Sequence, residues 1–465
     1  MLALRPYQTD AVTAAREAVL AGHRRILIVS PTGSGKTHIA AHIIRSAVAL
    51  GGRALFLADR LELIDQASRK LDEAGLDHGV IMADHWRRRP SAPVQVASVP
   101  TLHRRSGLPP ADVVICDEAH KSLSPTYRRI VEHYGAAVVL GLTATPYLYG
   151  GGGLGALYQH MVVVAQTPDL IRDGYLVPIE TYAPSSPDLA GVHISHGDYK
   201  GDELAAACDK PTLVGDIAAT WHRVAQDRTT CVFATSKKHA RHIQEELGIG
   251  WEYLDDSTPL SDRRGVSARI ASGEAIGVCN VGILALGWDM PRVSCVVMAR
   301  PTRSKALYLQ QVGRGTRPHP ASGKDRMLLL DHAGNVWRHG LPEAPQEFGL
   351  NGEVTTQERT GAAGVRICRK CFGVSPAGAD ACRVCGEPYE VRERKLLFRS
   401  GRLEQYAAPA ATLQARSAEI PLERRRRMYR DWQQQAIDRN YRPGYALAVF
   451  RNVFGRAPNA EELAP

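Results

Sequence analysis

Long apolar runs are missing from this chain of 465 residues, and no stretch approaches the roughly 18 consecutive hydrophobic residues of a membrane-spanning helix. The opening residues, MLALRPYQTD, also lack the basic-then-apolar build of a secretory signal. Membrane and secreted classes are therefore set aside, and the cytoplasm is the expected location. Lysine is scarce, 11 of the 58 basic residues. Arginine suits phosphate recognition, but a GC-rich genome gives the same bias. No compositional extreme points to a fibrous or disordered chain: hydrophobic residues are 44% and charged residues 23%, as in ordinary globular proteins. At this length the chain should form roughly two to four domains.

Cysteine is sparse too, and the nine residues sort by position. Cys116, Cys231, Cys279 and Cys295 stand in apolar runs such as VVIC and SCVVM and read as small core residues. Cys208 follows no pattern. The other four, Cys368, Cys371, Cys382 and Cys385, form CRKCFGVSPAGADACRVC, two Cys-x-x-Cys knuckles ten residues apart. Four thiolates at this spacing describe a zinc ribbon, and a reducing cytoplasm disfavours disulfides. Four protein ligands close the coordination sphere, so the zinc is expected to be structural. So small a module has too little core to fold without its metal.

The net charge of +10 is uneven: from Val391 onward 15 Lys and Arg oppose 8 Asp and Glu. A basic appendage on a nearly neutral body points to a polyanion, most often nucleic acid.

Residues 26–40, ILIVSPTGSGKTHIA, run from an apolar strand through a glycine loop into a helical pattern. Gly33, Ser34 and Gly35 would wrap backbone N–H groups round phosphates, Lys36 would reach the β- and γ-phosphates, and the Thr37 hydroxyl would hold Mg²⁺. Ser30 stands where the general pattern has its first glycine. Further on, ADVVICDEAH is a buried strand ending in two carboxylates. Asp117 suits Mg²⁺, and Glu118 suits orienting and deprotonating the attacking water. Together the two motifs predict ATP hydrolysis.

With DEAH the chain resembles the superfamily 2 helicases, and the resemblance continues in order. LRPYQ looks like the adenine-reading segment, with Arg5 and Gln8 as base contacts. LADRLELIDQ and ASVPTL look like segments that touch the nucleic-acid backbone, which points to Arg60, Gln66, Ser98 and Thr101. GLTATP looks like the coupling motif, with Thr143 and Thr145 acting beside His120 of DEAH. From about Ile179 a second α/β pattern begins, and LYLQQVGRGTRP places Gln310, Arg314 and Arg317 at spacings of four and three, on one face of a helix. Guanidiniums there can reach across a cleft to the γ-phosphate. By resemblance, Gly287 and Asp289 shape the ribose end.

The resemblance implies an α/β fold of two tandem RecA-like parallel-sheet lobes, a small zinc ribbon and a basic, mainly helical tail. The expected boundaries are 1–165 and 166–345 for the lobes, 346–364 for a linker, 365–390 for the ribbon and 391–465 for the tail. GYLVPIE, DDSTP, VGRGTR and LLLDHAGN further resemble RadD-type bacterial DNA repair helicases and related prophage-encoded helicases. Three departures are Ala285 where Thr is usual, Leu148 where Arg is common, and a zinc region of only four cysteines. The glycine run YGGGGLG reads as a flexible loop, and Glu393-x-Lys395 lacks the upstream Asp of a nuclease site. In the tail, Arg424, Arg425, Arg426 and Arg427 beside Trp432 suit a single strand, or equally a helix pair with an aromatic core. The ribbon would then be a platform for that tail.

The expected activity is ATP-dependent DNA translocation or unwinding in repair or recombination, with ATP, Mg²⁺ and structural Zn²⁺ bound. The expected partners are single-stranded or junction DNA and a repair protein. The alternatives are an RNA helicase and an ATP-switched clamp without unwinding.

Overall fold

The computed structural model describes residues 4–83, 85–146, 152–195, 197–284, 288–352, 364–389, 420–438, 444–454 and 456–463. The chain divides into two compact units, Met1–Val391 and Arg392–Pro465.

Among its described residues the first unit holds two large parallel sheets and two short antiparallel pairs. In the first lobe, β1 (Arg25–Val29), β2 (Ala54–Ala58), β3 (His78–Ile81), β4 (Val94–Ser98), β5 (Val113–Asp117), β6 (Val138–Thr143) and β7 (His160–Val163) are all parallel. Their order is β3-β4-β2-β5-β6-β1-β7. Runs such as ILIV and ALFLA are buried on both faces, as parallel strands between helices must be. Ile26 and Ile28 point into one cluster with Ala11 and Ile44, while Leu27 and Val29 point into the opposite one with Ile130 and Tyr158. Crossover helices leave the loops that follow the strands gathered at one edge, where ligands of open α/β sheets bind.

The second lobe repeats the plan with β8 (Ile179–Tyr182), a hairpin of β9 (Ile194–Ser195) and β10 (Asp198–Tyr199), then β11 (Thr230–Phe233), β12 (Trp251–Leu254), β13 (Gly277–Asn280), β14 (Cys295–Met298) and β15 (Met327–Asp331). The sheet order is β12-β13-β11-β14-β15-β8, which leaves β8 at an edge. Cys116, Cys231, Cys279 and Cys295 are core residues, and Cys208 is buried as well.

The ribbon pairs β16 (Val365–Ile367) with β17 (Val374–Pro376) and docks on that edge. Tyr182 bridges Gly373, and the Ala183 N–H donates to the Phe372 carbonyl at 3.0 Å. Val365 and Val374 share a cluster with Ala183, Val336 and Leu341, and Arg383 pairs with Glu343. The ribbon therefore caps an open strand of the second lobe, a contact that the platform reading did not anticipate.

Residues 346–352, expected to be linker, return to the first lobe. Phe348 and Leu350 pack on its core, and the Gly155 N–H donates to the Leu350 carbonyl at 2.7 Å. The described end of the glycine run is thus held by hydrogen bonding. Leu148, Ala285, Gly287, Glu393 and Lys395 lie outside the described residues.

The second unit contains helices Leu422–Asp438, Tyr445–Phe454 and Ala460–Leu463 round Tyr429, Ala446, Phe450 and Phe454. Trp432 packs on Phe450 and Phe454, and the buried Glu462 pairs with Arg425 at 2.8 Å and Arg456 at 2.6 Å. Arg426 donates to the Glu461 carbonyl. Of the residues offered as strand contacts, Arg425, Arg426 and Trp432 are therefore engaged internally. Arg424 and Arg427 are exposed.

Candidate nucleotide site, nucleic-acid groove and metal centre

After β1 the chain turns through Ser30–Gly35 into the helix Lys36–Ala49. Gly35 has φ 86°, and a Cβ there would stand 2.6 Å from Gln8 Nε2, so only glycine fits. Gln8 Nε2 and the Tyr7 hydroxyl both donate to the Ser34 carbonyl, at 2.8 and 2.7 Å, and the segment expected to read adenine thereby holds the phosphate loop. Ser30 replaces the usual glycine productively: its hydroxyl meets the Ser34 hydroxyl at 2.5 Å, and that of Ser34 donates to the Pro31 carbonyl.

Asp117 ends β5, and Glu118 follows with φ 50°. In that left-handed turn the Glu118 N–H donates to Asp117 Oδ1 at 3.0 Å. Glu118 is buried, 3.4 Å from His120 Nδ1, and accepts a bond from Gln310 Nε2 of the second lobe at 3.2 Å. Burial and the charge of Glu118 push the Asp117 carboxyl up to about 7, against the pull of Lys36. Burial also opposes ionisation of Glu118, yet Lys36, His120 and Arg314 hold it below the ordinary range. Burial pushes the His120 imidazole down, against the pull of Glu118. Its Nδ1 stands 3.5 Å from the Thr143 hydroxyl, which donates to the Thr145 carbonyl and accepts the Thr145 N–H.

The helix Lys305–Val312 carries Gln310 but ends before Arg314 and Arg317, which the sequence spacing had placed on it. Gly313 caps it, and a Cβ there would lie 2.4 Å from Thr32, so the cap is pressed on the phosphate loop. Both arginines still enter the cleft. Arg314 donates to the Trp288 carbonyl at 2.6 Å, and Arg317 pairs with Asp289. The cleft measures about 380 Å³ and is lined by Arg5, Gln8, Gly33, Gly35, Lys36, Thr37, Asp117, Glu118, Asp289 and both arginines.

Tyr175 also lines this cleft, with the Arg5 guanidinium 4.8 Å above its ring and Tyr7 edge-on at 5.0 Å. Sequence reasoning gave it no role, although GYLVPIE was a signal. Two residues on, the Val177 N–H donates to the Thr316 carbonyl at 2.8 Å.

A second groove of about 580 Å³ crosses the lobes at the strand ends, lined by Arg60, Lys237, Asp256, Arg263 and Gly282. Of the residues expected to touch nucleic acid, Arg60 is here, donating to the Gly282 carbonyl at 3.5 Å. Gln66 lines the nucleotide cleft instead. Ser98 is buried where β4 passes into the helix Val99–His103, and Thr101 is half-buried on that helix. Lys237 and Arg263, which the sequence did not single out, bring cations from the second lobe.

The four cysteines converge. Cys368 and Cys385 sulfurs are 3.7 Å apart, Cys371 and Cys382 sulfurs 3.6 Å, and all four lie within 4.8 Å of one another. A tetrahedron with Zn–S of about 2.3 Å has edges of about 3.8 Å, so the donor set fits Zn²⁺. Burial works against a thiolate at Cys382, but the N–H groups of Cys385 and Val384 pull it down to about 6.

Comparison with known proteins agrees with this layout. Residues 1–148 match the family model "Type III restriction enzyme, res subunit", and residues 210–319 match "Helicase conserved C-terminal domain". A 51.5 kDa protein of Lactococcus phage (isolate 7-9) is 29% identical over 79% of each chain. The putative mitochondrial ATP-dependent helicase irc3 of Schizosaccharomyces pombe is 32% identical over 75% of this chain, which spans 60% of that relative's length. Among solved structures, a putative HsdR subunit fragment of a type I restriction enzyme from Vibrio vulnificus matches 74% of this chain and 67% of that one, at 22% identity and TM-score 0.58. The DUF1998 helicase MrfA bound to DNA matches 71% of this chain and 46% of that one, at 20% identity and TM-score 0.51. On these matches, and on the two parallel-sheet lobes that carry them, the chain belongs to the superfamily 2 helicases, which are nucleic-acid-dependent ATPases.

Proposed function

We propose that this chain hydrolyses ATP in the cleft between its lobes and uses the cycle to move on DNA, in repair or recombination. The contact of Gln310 with Glu118 carries the reading, because a second-lobe side chain reaches the carboxylate suited to the attacking water. Neither lobe alone would complete the site.

The cleft suits ATP with its Mg²⁺. Asp117 is a buried carboxyl raised by its neighbour's charge, an arrangement that a divalent cation held with Thr37 would relieve. The ion would shield the β- and γ-phosphates. Lys36 and the loop N–H groups would bind those phosphates, and Tyr175 and Arg5 would flank the base. Glu118 would take the proton of the attacking water, while Gln310 and His120 fix its carboxylate. Arg314 and Arg317 would meet charge growing on the γ-phosphate. Closure of the cleft would bring Arg60 and Lys237 together on one backbone. The ribbon would hold Zn²⁺ as a staple on the second lobe.

DNA is favoured over RNA by the restriction-enzyme and DNA-bound relatives, and a repair role by the likeness to RadD-type helicases in GYLVPIE and LLLDHAGN. The test is the steady-state ATPase rate with no polymer, single-stranded DNA, duplex DNA and RNA, using Lys36→Ala as the dead control. Selective stimulation by DNA is expected. Stronger stimulation by RNA would overturn the DNA assignment, and retained hydrolysis in Lys36→Ala would overturn the site.

A further inference from the structure

The segment LLLDHAGN, residues 328–335, takes no part in nucleotide chemistry. Its described contacts give it a different task. Asp331, fully buried, accepts the N–H groups of Ala333 at 3.1 Å and Val336 at 2.7 Å, which fixes the turn after β15. Asn335, also fully buried, accepts the Thr302 N–H at 2.9 Å and donates to the Arg300 carbonyl at 3.0 Å, which fixes the loop after β14. That loop holds the β9–β10 hairpin in turn: Asp198 accepts the Arg303 N–H at 2.8 Å and the Thr302 hydroxyl at 3.0 Å, and it pairs with Arg300. Arg338 closes the ring, donating to the Thr302 carbonyl and lying 5.3 Å over the Tyr199 ring. Ser185 and Asp216 both meet His332 at Nδ1, so this trio is a brace and not a nucleophile relay.

Connections that follow β8, β14 and β15 are thereby joined into one ridge. It stands along the carboxyl-end edge of the second sheet, the edge that also carries Lys237 after β11 and Gly282 after β13. Beneath the surface most of its polar groups bond one another, although Arg300 Nε and His332 Nε2 meet no partner among the described residues. Outward it carries Trp337, 45% exposed, Ile194, 53% exposed, and the exposed Arg303. The carboxylate of Asp198 is spent inside the ridge, on the Arg303 N–H, the Thr302 hydroxyl and Arg300, and the ridge exposes both Arg303 and Trp337. Ring plus guanidinium on a rigid base is the chemistry of single-strand binding, stacking for a base and charge for a phosphate.

We propose that this ridge is a further nucleic-acid contact surface of the second lobe, taking the single strand as it passes out of the groove lined by Arg60 and Lys237. The inference rests on the reading of the chain as a nucleic-acid motor. The test uses the full chain and a labelled oligothymidylate, with direct binding by fluorescence anisotropy measured beside ATPase stimulation. Trp337→Ala should raise the dissociation constant and the half-saturating oligonucleotide concentration about tenfold, with basal and fully stimulated rates unchanged. Trp337→Phe should restore both, because stacking survives. Arg303→Glu should lower the slope of log affinity against log salt by about one. Binding of the oligonucleotide by the intact chain with the same affinity in Trp337→Ala would overturn the ridge and leave the motor standing. No binding and no stimulation of the intact chain would overturn both.

Discussion

Removing zinc should weaken the second lobe and not the ribbon alone. The ribbon gives the lobe three valines, Val365, Val374 and Val384, one backbone bond to Ala183, and the bridge from Arg383 to Glu343 and the Ile179 carbonyl. A fully buried valine is worth about 1.5–3 kcal/mol, and only part of each faces the lobe, so the three contribute about 3 kcal/mol. The backbone bond adds about 1 kcal/mol, and the half-exposed Arg383 pair about 1 kcal/mol at most. A loss of about 5 kcal/mol in a lobe of this size lowers the melting temperature by about 10 °C or more. Strand β8 would also lose the cover on its open edge. The assay is calorimetry with hydrogen exchange at Ile179–Ala183, on the chain as purified, after chelation, and after zinc is returned. Cys382→Ser should reproduce the chelated state. Val374→Ala should keep its zinc yet lose about 2 kcal/mol, which separates docking from metal binding. A zinc-free chain, verified by metal analysis, with unchanged melting and unchanged protection of β8 would refute the argument.

Three further outcomes are expected. Arg314→Lys cannot both donate to the Trp288 carbonyl and keep a planar guanidinium near Glu118. Stimulated kcat should fall about 10³-fold, with KM for ATP little changed; an effect confined to KM would argue against a role in the transition state. Burial holds both His239 and His339 down at about 4 in the folded chain. Because the unfolded chain protonates first, near 6.5, stability is complete above that pH and is lost as pH falls towards 4. Urea unfolding at pH 7 and pH 5 should differ by about 2 kcal/mol per histidine, and His239→Gln should remove its share. Finally, Glu62 pairs with Arg263 across the lobes. Glu62→Arg should reduce polymer-stimulated hydrolysis, and the double swap with Arg263→Glu should recover it by a coupling of about 1 kcal/mol; no recovery would make the pair incidental.

What the sequence disclosed was local. The phosphate loop, the paired carboxylates of DEAH and the four-cysteine cage each lie within one short window, where spacing alone fixes geometry. Contacts between distant windows were not legible. Tyr175 reaches Tyr7 and Arg5 from about 170 residues downstream, and the stretch that holds it, GYLVPIE, marks a family resemblance without showing which distant residues it meets. The spacing of Gln310, Arg314 and Arg317 suggested one helix face, but the helix ends at Val312, and Gly313, where a Cβ would meet Thr32, is its cap. In the tail, arginines beside aromatics fitted a stacking surface and a packed core equally. Glu462, 37 residues further on and fully buried, decides for Arg425 by demanding a cation. The docking of the ribbon on β8 had no signal either, because an open strand edge is a property of sheet order and not of the strand's own residues.

Coupling between the nucleotide cleft and the groove needs no long pathway, because one helix serves both. Arg60, at the amino end of the helix Leu61–Glu73, reaches Gly282 in the groove, and Glu62 pairs there with Arg263. Gln66 and Lys70 of the same helix line the nucleotide cleft. At about 1.5 Å per residue, Arg60 and Gln66 are separated by about 9 Å of stiff backbone. On the proposed function, a change at the phosphates that draws on Gln66 or Lys70 would move Arg60 and Glu62 with the same helix, along with the second-lobe residues they hold. Gln66 had been read as a nucleic-acid contact by its position in LADRLELIDQ. In the proposed motor, its place on the nucleotide side would make this helix, and not a chain of side chains, the physical link between hydrolysis and grip.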